Sequence, residues 1–174
     1  MSATAPAKPE ANEYAPYYEK YVSLVPATDV IETLERQARE TLALLRAIPE
    51  ERGGHAYEPG KWSIKQVVGH IVDGERVFVY RALRFARGDR TPLPGFEQDD
   101  YVAGADFDSR SLASLLDEFE AVRGATLSLF RSLDSESWRR AGVASDNEVS
   151  VRALAYITAG HEAHHIRILR ERYL

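Results

Sequence analysis

Apolar residues recur along this chain at intervals of three and four, and the pattern predicts four long helices. The first opens near Asp29, with Pro26 just before it and Glu32 three residues on as a capping-box partner. Ile31, Leu34, Ala38, Leu42, Leu45 and Ile48 form its stripe, and Pro49 with Gly53-Gly54 end it. The second opens at Ser63, where Gln66 completes a capping box and Trp62 is placed to staple onto Val67. Its stripe runs from Ile64 through Val68, Ile71, Phe78 and Ala82 to Phe85, and Gly88 stops it. The third opens between Asp108 and Ser111 and carries Leu112, Leu115, Phe119, Val122, Thr126 and Phe130. Ser150 caps the fourth, which continues to Arg172 or the end. No segment alternates convincingly as a strand, so the expected fold is an all-α four-helix bundle.

One connection is unusual. Thr91 to Phe107 spans seventeen residues, long for a link between antiparallel neighbours. A helix over 63–88 measures about 39 Å at ~1.5 Å per residue. The link reaches roughly 56 Å at ~3.3 Å per residue, enough to return along the whole bundle. The second and third helices then run parallel, giving an up-down-down-up order. Residues 1–13, rich in Ala, Pro and Glu, read as a disordered leader, and 14–174 as one domain. Within that domain Tyr14, Tyr17, Tyr18, Tyr21 and Val22 form an aromatic patch expected to strap onto the bundle, or to act as a lid.

Composition narrows the chemistry. Among 174 residues, 22 Lys and Arg stand against 27 Asp and Glu, a net charge of −5. That balance argues against nucleic acid or an anionic membrane as the partner. No apolar run approaches the length of a membrane span, and the first residues carry no secretory signal, so a cytoplasmic protein is expected. There is no cysteine, which excludes disulfides, thiol nucleophiles and thiolate zinc sites.

Five histidines remain. His161-Glu162-Ala163-His164-His165 lies on the last helix, and side chains four apart share a face and can grip one cation. His70 sits mid-helix on an apolar surface. A lone histidine there reads as a core residue bonded to a neighbour. Three buried imidazoles without a shared partner would be costly, whereas a divalent ion satisfies all of them. Following the last helix from Leu154 through Thr158 leads to His161, His165 and Ile168, so these face the core. The track through Gly160, His164, Arg167 and Glu171 reads as solvent or rim. The segment also matches the protease pattern H-E-x-x-H, but only nine residues follow His165, and no edge strand is expected to hold a peptide. Gly74, one turn after His70, leaves space beside it.

Other polar residues have plainer readings beside the sharper ones. Glu162 and Asp73 either accept from the far nitrogen of a ligand histidine or are solvated helix-surface charges. Asp99, Asp100, Phe96 and Tyr101 either pin the crossover or carry binding groups. Arg76, Arg81, Arg84, Arg87 and Arg90 make one stretch basic, which reads as a solvated face or as salt bridges to acidic helices, and otherwise as an attraction for an anionic thiol cofactor. His55 reads as an exposed loop residue.

Several short runs together resemble the DinB/YfiT-like superfamily: Tyr21 to Pro26, Gly60-Lys61-Trp62-Ser63-Ile64-Lys65, Gly69-His70, Gly88-Asp89, Leu93-Pro94-Gly95-Phe96, and Gly160 to His165. The resemblance covers roughly 14–174. It implies a four-helix bundle, commonly a homodimer, holding one divalent metal ion per chain, typically zinc or nickel. The ligands it implies are His70, His161 and His165. It also implies a metal-dependent transferase or hydrolase acting on a small-molecule substrate, in which the metal activates a low-molecular-weight thiol cosubstrate or water. The alternative is a non-catalytic metal-binding or stress-response bundle. No catalytic residue beyond the metal ligands follows from it.

Overall fold

A computed structural model describes residues 6–174, and residues 1–5 of the expected leader lie outside the described residues. The four expected helices are present as α1 (Val30–Arg46), α2 (Ile64–Ala86), α3 (Leu112–Arg131) and α4 (Val151–Ile168), with a π-helical turn over Leu169–Tyr173. Their starts are capped as the sequence suggests. Asp29 accepts from the backbone of Ile31 and Glu32, Ser111 from Ser114, and Ser150 from Ala153. Ser63 and Gln66 form the full reciprocal box, while Asp29 caps without a return bond from Glu32.

Contacts at the helix ends fix their directions. Glu50, just past the end of α1, accepts from the backbone N–H of Leu112 at the start of α3, 2.8 Å away. Ser63 and Asp108, beside the starts of α2 and α3, are hydrogen-bonded at 2.5 Å. Tyr173, past the end of α4, donates to the carbonyl of Trp62 at the start of α2, and Tyr156, early in α4, donates to Thr28 before α1. Hence α1 and α4 run one way and α2 and α3 the other. The bundle is up-down-down-up, and the long crossover joins the parallel pair α2 and α3.

Two apolar clusters fill the interior. One centres on Phe78, Phe85, Phe130 and Tyr156, the other on Ile71, Leu115, Phe119 and Leu169. Every helix passes from one cluster to the other through a polar stretch: Thr41 on α1, His70 and Glu75 on α2, Arg123 on α3, and His161, Glu162 and His165 on α4. A buried polar layer thus crosses the whole bundle at one level. Its members must satisfy one another, because each uncompensated polar group would cost several kcal/mol at roughly 1–3 each.

The structure corrects four expectations. First, Ala141–Ala144 (β1) and Asn147–Ser150 (β2) form a small antiparallel hairpin where no strand was expected. Small and polar residues hide its alternation, and Ser145 and Asp146 turn it with φ of 51° and 61°, unusual for non-glycine residues. Second, the crossover is not bare loop: it carries a short helix, Gln98–Gly104, and Leu93 exchanges backbone bonds with Val143 and Ser145 of the hairpin. Third, the later part of the leader is tied down. Lys8 donates to the carbonyl of Val25 at 2.7 Å, and Glu13 accepts from Ser150 and Arg152. Fourth, Arg81 is buried rather than solvated, donating to the Pro94 carbonyl at 2.9 Å and the Ser145 hydroxyl at 3.1 Å, which anchors crossover to hairpin.

The aromatic segment lies across α4. Tyr21 and Val22 are buried, and a Cβ at Gly160 would fall 2.1 Å from the Tyr21 carbonyl oxygen. Only glycine at 160 lets the strap lie this close to the helix.

Candidate metal centre

Antiparallel packing of α2 on α4 sets one histidine opposite a pair one turn apart. Nε2 of His70 lies 2.9 Å from Nε2 of His161 and 3.1 Å from Nε2 of His165. The ligand-capable nitrogens of all three are within 4.8 Å of one another. Relative exposure is 3% for His70, 4% for His161 and 9% for His165, so each residue is largely buried.

Burial decides their charge. It lowers the His70 pKa to about 4, with a small further push from His164. It lowers His165 to about 3, helped by the charge His70 would carry, and holds His161 well below the ordinary value. All three are therefore neutral near pH 7, with lone pairs available. The donor set fits a cation. Ligands around a tetrahedral ion at ~2.0–2.1 Å stand about 3.3 Å apart, close to the spacings present. A hydrogen bond between two neutral rings satisfies one donor and one acceptor. It cannot serve three converging nitrogens at once.

The surroundings hold the rings in place. Trp62 packs on His70 with centroids 4.8 Å apart, and Tyr21 and Phe78 each meet the ring of His161 at 5.4 Å. A Cβ at Gly74 would stand 2.7 Å from Cε1 of His161, so the space foreseen beside His70 is filled by the other helix's imidazole. His164 is not among the converging nitrogens: half-buried, its ring lies 5.1 Å from that of His165 and 5.4 Å from Tyr21, and its Nδ1 has no partner among the described residues. Its track was expected to face solvent or the rim. Arg167 and Glu171 on it are exposed and His164 is half-buried, as that phase requires, while Gly160 departs from it and lies fully inside under the strap.

Beside the histidines lies an ion network that the sequence reading missed. Arg123 is 1% exposed and donates to Glu75 through Nε and Nη2 at 2.9 and 2.7 Å, to Glu162 at 2.7 Å, and to the Leu34 carbonyl at 2.9 Å. Glu162 also accepts from the Thr41 hydroxyl at 2.6 Å. Burial raises the Glu162 pKa, and Arg123 and Thr41 pull against that. Glu162 is thus neither a solvated surface charge nor a partner of a histidine; it joins α4 to α1 and α3. The signal was available: Arg123 falls between Phe119 and Thr126 on the apolar stripe, and Glu75 between Ile71 and Phe78.

The other candidates separate clearly. Asp73 lies 3.6 Å from Arg76 at the surface of α2, away from the histidines, and burial raises its pKa. Asp99, Asp100 and Tyr101 are exposed on the short crossover helix, and Phe96 packs against Tyr101 and Phe78. His55 is exposed, and Arg84 pairs with Asp89. Two clefts reach the centre. One of 450 Å³ exposes His70 and His161, and one of 360 Å³ exposes His165.

Comparison with known proteins gives concordant results. The DinB superfamily model matches residues 33–169. A protein of Oceanobacillus iheyensis, named as a candidate metal-dependent hydrolase, is 28% identical over 138 residues, 78% of this chain and 77% of the relative. Among solved structures, YfiT from Bacillus subtilis, described as a candidate metal-dependent hydrolase with an unusual four-helix bundle topology, superposes with a TM-score of 0.70. It is 17% identical, over 94% of this chain and 90% of YfiT. The mycothiol-dependent maleylpyruvate isomerase superposes with a TM-score of 0.68 at 11% identity, over 83% of this chain and 61% of the isomerase. At these identities the structural matches establish the fold.

Proposed function

The chain belongs to the DinB superfamily, and from that premise we propose that it is a metal-dependent enzyme acting on a small molecule, with one divalent ion held by Nε2 of His70, His161 and His165. The observation that carries this reading is the convergence of three buried, neutral imidazoles from two helices, with no other group among the described residues bonded to all three. An ion held by three nitrogen ligands keeps open positions, and when bound it lowers the pKa of water or a thiol enough to supply a nucleophile at neutral pH.

The chain's own residues supply the rest. His70, His161 and His165 bind. Tyr21, Trp62 and Phe78 fix the ring planes and keep bulk water from their backs. Arg123 and its two glutamates lock α2 and α4 at the level where the ligands must meet. Zinc or nickel is the proposed ion. Hydrolysis by water and transfer of a low-molecular-weight thiol are the two proposed reactions. The named hydrolase relative supports the first, and the thiol-dependent isomerase supports the second. A non-catalytic metal store is disfavoured because two clefts open onto the ligands, whereas a structural site is closed. A homodimer in the cytoplasm completes the proposal; sedimentation tests the first part.

The test is elemental analysis of protein purified without a histidine tag. Ester, amide and thiol-conjugation assays of the metal-loaded form follow, with bacillithiol, mycothiol and glutathione each present or absent. Metal-dependent turnover without thiol assigns a hydrolase, and turnover only with one thiol assigns a transferase. Absence of bound metal under all loading conditions refutes the proposal.

A further inference from the structure

The two clefts differ in chemistry, and they approach the histidines from different sides. The larger is walled by Tyr17, Tyr18, Tyr21, Phe78 and Phe96. Its charged lining residues, Glu97 and Asp99, are both acidic. Lys20 stands 3.8 Å over the Tyr17 ring beside them, and the aromatic faces of this wall favour a flat apolar ring. The smaller cleft is walled by Tyr57, Trp62 and Tyr173, with Lys61 and Asp99 as its charged residues. One cation and one carboxylate face the same space. Aromatic faces beside them attract an ammonium group.

Gln98 and Asp99 line both clefts, and no other residue does. They mark where the two clefts adjoin, with His70 and His161 lining one and His165 the other. Two ligands, one in each cleft, would meet at this junction beside the histidines.

We propose that the centre binds two ligands together: an uncharged aromatic body in the tyrosine-walled cleft, and a small zwitterion in the Trp62 cleft. The zwitterion's carboxylate is set on Lys61 and its ammonium on Asp99. This deepens the enzymatic reading of the histidines and depends on it for purpose, but binding in the clefts is measurable without metal.

The experiment is an amide NMR titration of the full chain, zinc-free and zinc-loaded. The probes are p-cresol and 4-aminobutyrate, the latter chosen because its separated charges chelate zinc poorly. Up to tens of millimolar, p-cresol is expected to shift the amides of Tyr17, Tyr18 and Phe96, and 4-aminobutyrate those of Tyr57, Lys61 and Trp62. Gln98 and Asp99 should respond to both. Saturation with one probe should leave the other bound. Lys61→Met, at an exposed position, should weaken 4-aminobutyrate about threefold, the worth of a partly exposed ion pair, without affecting p-cresol. Tyr17→Ala should do the reverse. Competition between the probes for one set of amides, or no response of the Trp62 cleft to 4-aminobutyrate, overturns the proposal. Zinc failing to bind while both probes behave as expected would count against the metal reading alone.

Discussion

Gly74 on α2 and His161 on α4 touch so closely that a methyl group cannot stand between them: the Cβ of an alanine would lie 2.7 Å from Cε1 and 3.2 Å from Nδ1 of the imidazole. The glycine costs helix stability, roughly 0.5–1 kcal/mol against alanine, and its position is explained by the ring it admits. Gly74→Ala is predicted to displace His161 and lower zinc affinity about tenfold, the loss typical when a ligand's support is disturbed. Helicity should be unchanged. Calorimetric zinc titration beside circular dichroism checks this; unaltered affinity would show that the ring moves freely.

Arg123 balances two buried carboxylates, so removing it leaves negative charge in the core. Arg123→Met is predicted to destabilise the protein by about 3–5 kcal/mol in denaturant unfolding. The triple change Arg123→Met, Glu75→Leu, Glu162→Met should recover most of that loss, since an apolar replacement of a whole buried ion cluster is often neutral. If the single variant unfolds at the wild-type midpoint, the network does not hold the bundle.

The amino-terminal segment brings a pH dependence. Burial alone would raise the Glu13 pKa, but hydrogen bonds from Arg152 and Ser150 overcome it and lower the pKa below 4.5. A carboxylate whose folded pKa is depressed stabilises the fold fully above its unfolded value, and the contribution fades as pH falls through the folded one. Glu13→Gln is therefore predicted to cost about 0.5–1 kcal/mol near pH 7, the scale of a partly exposed pair. That difference should shrink as the pH falls below the unfolded carboxylate value and disappear once it passes the depressed folded one. Unfolding curves of both proteins at several pH values test it; a difference that grows toward acid would reverse the assignment.

Much of this architecture is readable in the chain. Ser63-Gln66, Ser111 and Ser150 announce their helices because a cap is a local interaction between residues three apart. The length of the Thr91–Phe107 link carries the topology, and the helical phase separates His161 and His165 from His164. What escaped is what depends on partners distant in sequence. Gly160 looks solvent-facing until the strap lies on it. Glu162 looks like a surface charge until Arg123, 39 positions away, reaches it. The hairpin is set by Ser145 and Asp146 adopting positive φ, which favours Gly or Asn and is not announced by this pair.

The central claim is that His70, His161 and His165 hold one divalent ion while the neighbouring His164 does not. Zinc titration by calorimetry of the wild type and the four single alanine variants, each first shown to retain its helicity, tests it most directly. The account predicts about one zinc per chain in the wild type. Affinity should drop at least about tenfold in His70→Ala, His161→Ala and His165→Ala. His164→Ala should bind as the wild type does. Loss of zinc in His164→Ala with retention in His165→Ala, or no zinc bound by the wild type, would contradict it.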